Sequence, residues 1–349
     1  MTLVAKPFGD IITFTRASGG GRFNSSGVYE WVGNNVPRFD HDPVTGEPLG
    51  LLIEEARTNL LTYSEQFDYV IWGKSGITVT PNVVAAPDGA VSADKLVESA
   101  ANGSHQFFSG AKSISGGSAV LSVFLAKQPD SRLMAITIRR DGEALNLTTT
   151  FSYIDALTGA VTFERPGFAT TVNAIGDSWW RVSVVATGIV STAEIFIRTA
   201  AVSGNTWHAG DGTSGIYIWG AQLEAGAFPT SYIPTVASQV TRAASDAALN
   251  TLTPWFNATQ GTFVIKHSIP TGQPLITSGI NSIAVSQGSG TTKVAYDAAG
   301  SYVSHNGSAF VIGPALMFDS FFKLLKSPSV TSTGWCESVS YYPVRQLVP

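Results

Sequence analysis

The stretch Gly215-Ile216-Tyr217-Ile218-Trp219-Gly220-Ala221-Gln222-Leu223-Glu224 constrains the fold of this chain more than any other. Ile216 and Ile218 alternate with Tyr217 and Trp219, so a strand here is apolar on both faces. Such a strand cannot lie on a half-wet sheet. It predicts a place in the middle of a sandwich, with its second face covered by a loop, a neighbouring domain or another subunit.

The flanking sequence has the punctuation of β structure. Charged residues make up 13% of the chain, beside 35 Gly and 17 Pro, and continuous helical patterns are almost absent. At 349 residues the chain exceeds one typical domain and predicts two. A formal net charge of −4 without a Lys/Arg cluster excludes an electrostatic case for nucleic acid. The single Cys336 excludes an intrachain disulfide or a Cys-based metal site and reads as a buried structural thiol. Met1-Thr2-Leu3-Val4-Ala5-Lys6 lacks the pattern of a secretion signal, and no window approaches the roughly 20 apolar residues of a membrane span. The expectation is a protein made in a cytoplasm, with no membrane insertion.

Residues 1–60 read as an extended N-terminal arm. Phe14-Thr15-Arg16-Ala17-Ser18 begins as a short strand and breaks at Gly19-Gly20-Gly21. Pro37-Arg38-Phe39-Asp40 and Asp42-Pro43-Val44-Thr45-Gly46-Glu47-Pro48 are turn chemistry, and Gly50-Leu51-Leu52-Ile53 should pair into a sheet. So polar and proline-rich an arm is expected to lie along another domain or another chain. Residues 61–235 carry regular strand signals, among them Val120–Leu125, Met134–Arg139, Trp179–Val185 and Ala193–Arg198. Asp155-Ala156-Leu157-Thr158-Gly159 reads as a hairpin turn. Six or more short strands at this spacing without helices predict an antiparallel sandwich. Residues 236–250 read as a linker, although Thr241-Arg242-Ala243-Ala244-Ser245 echoes Thr15-Arg16-Ala17-Ser18 in a way that suits related edge positions. Residues 251–349 read as a second, smaller sandwich ending in Glu337–Tyr342 and stopped by Pro343, with Ala315–Lys326 its one helical candidate.

Three stretches resemble a group of bacteriophage virion proteins: Pro37–Asp40 continuing through Gly50–Leu60, Gly215–Gly226 continuing through Phe228–Thr235, and Val339–Leu347. The resemblance implies a head-spike, tail-fibre or minor structural protein built from concanavalin-like and carbohydrate-module-like jelly rolls. The middle region, from Ser75–Val79 through Trp179–Val182 to Ile216–Ile218, is also similar to a carbohydrate-binding module. The family supplies no catalytic motif to transfer. The chain departs from the pattern at its C-terminus, where it stops soon after Leu347.

The residues themselves carry no enzyme signature. Glycoside hydrolysis needs two facing carboxylates, whereas Glu54 and Glu55 are adjacent in an extended run and point to opposite faces. Asp40 and Asp42 sit in turns, where Asp serves its own backbone. The histidines His41, His105, His208, His267 and His305 lack metal spacing, no Gly-x-Ser-x-Gly elbow is present, and Gly19-Gly20-Gly21 lacks a phosphate-loop Lys. Neither a metal nor a cofactor is expected. Glycan binding is the stronger reading, since sugar-binding sandwiches stack pyranose rings on exposed aromatics beside polar groups. The candidates are Trp207, His208 and Asp211 in the turn-rich Asn205–Gly212 loop, and Trp72 in Asp68–Lys74. The competing reading makes both tryptophans core residues.

The expectation is therefore an all-β chain of two antiparallel jelly-roll β-sandwiches plus an extended N-terminal arm. It would be a homotrimeric virion protein that contacts other virion proteins and attaches to a host surface glycan. A purely architectural decoration or fibre-anchoring role is the alternative.

Overall fold

The apolar alternation in the middle of the sequence becomes two facing antiparallel sheets. A computed structural model describes residues 8–146 and 149–249, and beyond them the backbone of the strands Thr262–Ser268, Ser282–Gln287, Gly290–Tyr296, Tyr302–His305, Phe310–Ile312, Leu324–Lys326 and Gly334–Tyr342. Apart from the short helix Phe8–Ile11, the regular elements of the described residues are strands. One sheet is six-stranded, in the order Phe168–Ile175, Trp179–Thr187, Ser118–Ala126, Gly215–Ala225, Val91–Glu98, Ile77–Ala85. The other is seven-stranded, in the order Val161–Phe163, Ser152–Ile154, Leu133–Arg140, Thr192–Ala200, Gln106–Phe108, Gly73–Ser75, with Lys112–Ser113 also on the 192–200 strand. Met134, Ile136, Ile138, Ile195 and Ile197 of the seven-stranded sheet share one core with Leu121, Val123, Val182, Val184, Ile216 and Ile218 of the six-stranded sheet. This is an all-β sandwich.

The 215–225 strand lies near the centre of its sheet, between Ser118–Ala126 and Val91–Glu98. Its pairing steps by two residues on one side, Ser122 to Phe124, and by three on the other, Gln222 to Trp219. That extra residue is a β-bulge, and Gly220 takes it up at φ 61°, in the left-handed region. The bulge reverses the alternation. Ile216 and Ile218 enter the main core, and after Gly220 so do Ala221 and Leu223. Trp219 joins a second core on the other face of the sheet, with Tyr29, Phe124, Trp179 and Tyr232.

That second face is covered from within the chain. The hairpin Gly20–Phe23/Tyr29–Val32 of the arm brings Tyr29 against Trp219, with ring centroids 5.8 Å apart and nearly perpendicular. The exit segment after residue 225 returns Tyr232 to 4.9 Å from Trp219, and the Tyr29 hydroxyl donates to the Tyr232 carbonyl at 2.6 Å. Gln222, which the bulge directs away from the main core, accepts from the Ile233 amide at 2.6 Å. Glu224 accepts from the Thr230 amide at 3.0 Å. Trp179 and Trp180 divide between the two faces, Trp179 in the second core and Trp180 packed against the main one.

The arm is fixed by a buried ionic cluster. Arg38 Nη1 donates to Glu54 Oε2 at 2.6 Å, both side chains wholly buried, and Arg242 Nε lies 3.4 Å from the same oxygen. The Ser231 amide and hydroxyl also donate to the Glu54 carboxylate, at 2.8 and 2.7 Å. Burial opposes ionisation of Glu54, but the guanidiniums of Arg242 and Arg38 and the Ser231 donors outweigh it and hold the carboxyl well below its ordinary range. Arg16, also buried, donates to the carbonyls of Ser18, Val36 and Gly33.

The 236–250 stretch, expected as a linker, carries two strands. Val240–Arg242 pairs with Arg57–Asn59, and Asp246–Leu249 pairs with Ile12–Thr15. In the Thr15-Arg16 and Thr241-Arg242 echo both arginines are buried, Arg16 directly after the Ile12–Thr15 strand and Arg242 at the end of Val240–Arg242. Pro48–Ile53 pairs with Gly334–Tyr342, which in turn pairs with Thr262–Ser268. The last strand ends at Tyr342, directly before Pro343. A five-stranded sheet runs Phe310–Ile312, Tyr302–His305, Gly290–Tyr296, Ser282–Gln287, Leu324–Lys326. Of the helical candidate 315–326, residues 324–326 form a strand and the rest lies outside the described residues, as does the Cys336 side chain.

Glu54→Gln leaves Arg38 and Arg242 buried without a carboxylate, and breaking a buried pair from one side costs about 3–5 kcal/mol. The expected outcome is a lowered melting temperature with new protease cleavage within residues 16–60. An unchanged cleavage pattern would show that the arm does not depend on this carboxylate. Because the Glu54 pKa is depressed, its contribution is complete above the ordinary carboxylate pKa and is lost only as pH falls through the lowered value.

Candidate functional site

The Asn205–Gly212 loop stands on a short ribbon, Asn102–Ser104 paired with Trp207–Ala209. Ser104 lies opposite Trp207, and Gly103 opposite His208. Alternation then assigns the faces. His208 turns inward with His105, their rings 4.7 Å apart, while Trp207 is 48% exposed. The Asn205 side chain accepts from the Trp207 amide at 2.9 Å, an Asx turn that sets the start of the strand.

Glu98 is the anchor beneath the loop. Its side chain has no exposure, and its two oxygens accept from five groups. Oε1 takes Arg132 Nη2 at 2.6 Å, Arg132 Nε at 3.1 Å and the Asp211 amide at 3.1 Å. Oε2 takes Thr199 Oγ1 at 3.2 Å and faces His208 Nε2 at 2.9 Å. Burial alone would raise the Glu98 pKa, but the bonds from Arg132 and His208 outweigh it and leave the carboxyl below its ordinary value.

Asp211 is committed to the loop itself. Its Oδ1 accepts from the Thr213 and Ser214 amides at 2.7 and 2.6 Å, and Oδ2 from Ser214 Oγ at 2.6 Å and Arg132 Nη2 at 3.1 Å. Those donors, Ser214 first, hold its pKa well below the carboxylate range. The structure therefore brings three of the four expected residues together and gives them different work. Trp207 offers a ring face to solvent, whereas His208 and Asp211 hold the loop that presents it. Trp72 is elsewhere and is core: it is 4% exposed, stacks on Phe107 at 4.7 Å, and donates Nε1–H to the Tyr63 carbonyl at 3.0 Å. It has no ring face for a sugar.

Sequence reasoning missed Glu98, Arg132 and the outer face of the seven-stranded sheet. Gln106 lies opposite Arg198 on neighbouring strands, and Phe108 opposite Phe196. Residues 104, 106 and 108 alternate onto one face, so Trp207, Ser104, Gln106, Arg198, Phe108 and Phe196 form a single row. Phe108 and Phe196 stack at 5.3 Å, and Arg139, ion-paired with Glu194, lies over the Phe196 ring. The alternation Glu194-Ile195-Phe196-Ile197-Arg198 held the signal, since the residues opposite the two isoleucines must face outward.

The site combines an exposed indole, the Gln106 amide and guanidiniums along one sheet face, groups of the kind from which polyhydroxylated ligands are recognised. No group of metal-ligating side chains gathers among the described residues. Compared with protein families and with curated proteins, the sequence matches none.

Glu98→Gln removes the charge that Arg132 and His208 share, so amide exchange in 205–214 should speed up roughly tenfold at neutral pH. The depressed Glu98 pKa sets the sign in the wild type: protection is full above the ordinary carboxylate pKa and declines as pH falls through the lowered value. Protection factors that are insensitive to both changes would remove Glu98 as the anchor.

Proposed function

We propose that this chain is a bacteriophage virion structural protein, displayed as a fibre, spike or decoration, that attaches to a host surface glycan through the Trp207 face. The observation that carries the binding reading is the exposed Trp207 ring, held on a ribbon whose inward side is tied to buried Glu98. A solvent-facing indole on a base this well bonded is preorganised, so little ordering entropy is lost on binding. The virion reading rests on the resemblance. Two of its stretches, around Arg38–Glu54 and Thr230–Tyr232, meet in the buried cluster and the second core, which supports their being a folding signature. Jelly-roll topology for both sandwiches belongs to the same proposal.

Trp207→Ala should abolish binding of purified protein to host cells while leaving the unfolding free energy within about 0.5 kcal/mol of wild type, as for other exposed positions. Trp72→Ala should instead destabilise by about 3–5 kcal/mol, as expected for a buried Trp. Host binding that survives Trp207→Ala would favour the architectural reading. One surface feature gives that reading support of its own. Tyr69, Val70 and Ile71 form an exposed apolar turn, with Val70 88% exposed, suited to contact with another virion protein.

The resemblance also motivates assembly as a homotrimer. Sedimentation velocity at micromolar concentration should give a species three times the 36.8 kDa chain. A compact monomer would overturn the trimer.

A further inference from the structure

Arg198 differs electrostatically from the other buried arginines, including Arg16, which also donates to neutral carbonyls but stands in the field of Glu54. It is 6% exposed, and its guanidinium donates to two neutral acceptors, Thr206 Oγ1 at 2.9 Å and Gln106 Oε1 at 2.8 Å. The Phe151 ring lies 4.4 Å from its guanidinium carbon. Arg38, Arg132 and Arg165 each reach a carboxylate, and Arg181 stands in the field of Glu224 and Glu54. Among the described residues no carboxylate pairs with Arg198, and its Nε has no partner. Burial lowers its pKa to about 10. A nearly buried cation without a counter-charge is costly in a free-standing fold, and the cost is recovered when an anion arrives.

The position of this cation is what gives it a role. Arg198 and Gln106 are cross-strand partners, Ser104 is two residues before Gln106, and Trp207 is the partner of Ser104. Thr206, which accepts from Arg198, directly precedes Trp207. With its oxygen turned to Arg198, the Gln106 amide is left with its NH2 group to donate. Ser104 Oγ is buried and has no partner among the described residues. The carboxylates of the neighbourhood, Glu98 and Asp211, are occupied by Arg132, His208 and loop amides. The row beside the indole is therefore donor-rich and cationic.

We propose that the glycan recognised at Trp207 carries a carboxylate, as uronic and sialic acids do, and that Arg198 with Gln106 reads that group. The proposal rests on Trp207 being the glycan platform. The sugar ring stacks on the indole, and its carboxylate accepts from Gln106 Nε2 and from the guanidinium, whose planar fork suits two carboxylate oxygens. Neutral sugars of the same shape would lack the counter-charge that this face needs.

The full chain would be applied to an oligosaccharide array in which uronic- and sialic-acid members stand beside neutral analogues. The acidic members it retains would then be carboxyl-reduced, so that the protein stays wild type. Retention of acidic members, weakened roughly tenfold or more by reduction, is the expected result, since a charged hydrogen bond is lost. Gln106→Ala and Arg198→Met should weaken acidic members selectively, whereas Trp207→Ala should weaken all. If Arg198→Met does not fold, the reduced ligands and Gln106→Ala carry the same comparison. Equal binding of acidic and reduced sugars that still depends on Trp207 would overturn the carboxylate and leave the platform. Binding of no array member, or binding unaffected by Trp207→Ala, would overturn both.

Discussion

Glu54 is the residue on which the architecture converges. A buried carboxylate is tolerated only when its charge and its lone pairs are met, and here Arg38 comes from the arm, Arg242 from the stretch after the sandwich, and Ser231 from the segment leaving the central strand. The arm and the 231–242 stretch, far apart in sequence, must therefore be in place together. That requirement is directional in a way that apolar packing is not, and it gives a polar arm of low hydrophobic content one place to lie. Once the arm lies there, Tyr29 reaches Trp219 and Tyr232, and the second face of the central sheet is closed.

The closed second face leaves the molecule with its outer surface on the seven-stranded sheet. The six-stranded sheet carries aromatic cover on its outside, so its outer side chains serve stability. The seven-stranded sheet has Phe151 and Tyr153 buried on its outer side, but farther along the same face Gln106, Phe108 and Arg139 remain partly open. The ribbon that holds Trp207 extends this row. One sheet is thus braced by the arm, and the other leaves aromatic, amide and guanidinium groups partly open on its outer face.

Much of the fold was legible from alternation. Met134–Arg139 and Ala193–Arg198 alternate cleanly, and both became paired strands of one sheet. Asp40 and Asp42 were expected to serve their own turns; Asp42 accepts from amides two and three residues on, but Asp40 lies on the Phe39–His41 strand and accepts from the Phe23 amide. The misreadings have specific causes. Residues 236–250 looked like a linker because their strands gain stability from backbone pairing with residues 12–15 and 57–59 and from Arg242, not from apolar side chains. Trp72 was ambiguous because a tryptophan in a turn-rich segment packs inward or outward according to what lies beneath it. What lies beneath it is Phe107, from the strand Gln106–Phe108. Glu98 was invisible for the same reason, since its five donors come from three separate segments.

By itself the sequence determined that the chain is all-β, that Gly215–Glu224 is central, and that both faces of that strand are buried, because period-two patterning is a local property. It also placed Trp207 in a loop with polar neighbours. Only the tertiary structure decided that Gly220 carries a bulge that turns Gln222 and Glu224 outward to bind the exit segment, and that the arm supplies the cover. It alone separated His208 and Asp211, which hold the loop, from Trp207, which faces solvent, and set Arg198 in the same row. Burial, charge compensation and the sharing of a face depend on residues brought together across the sheets, and no local pattern encodes which distant group will arrive.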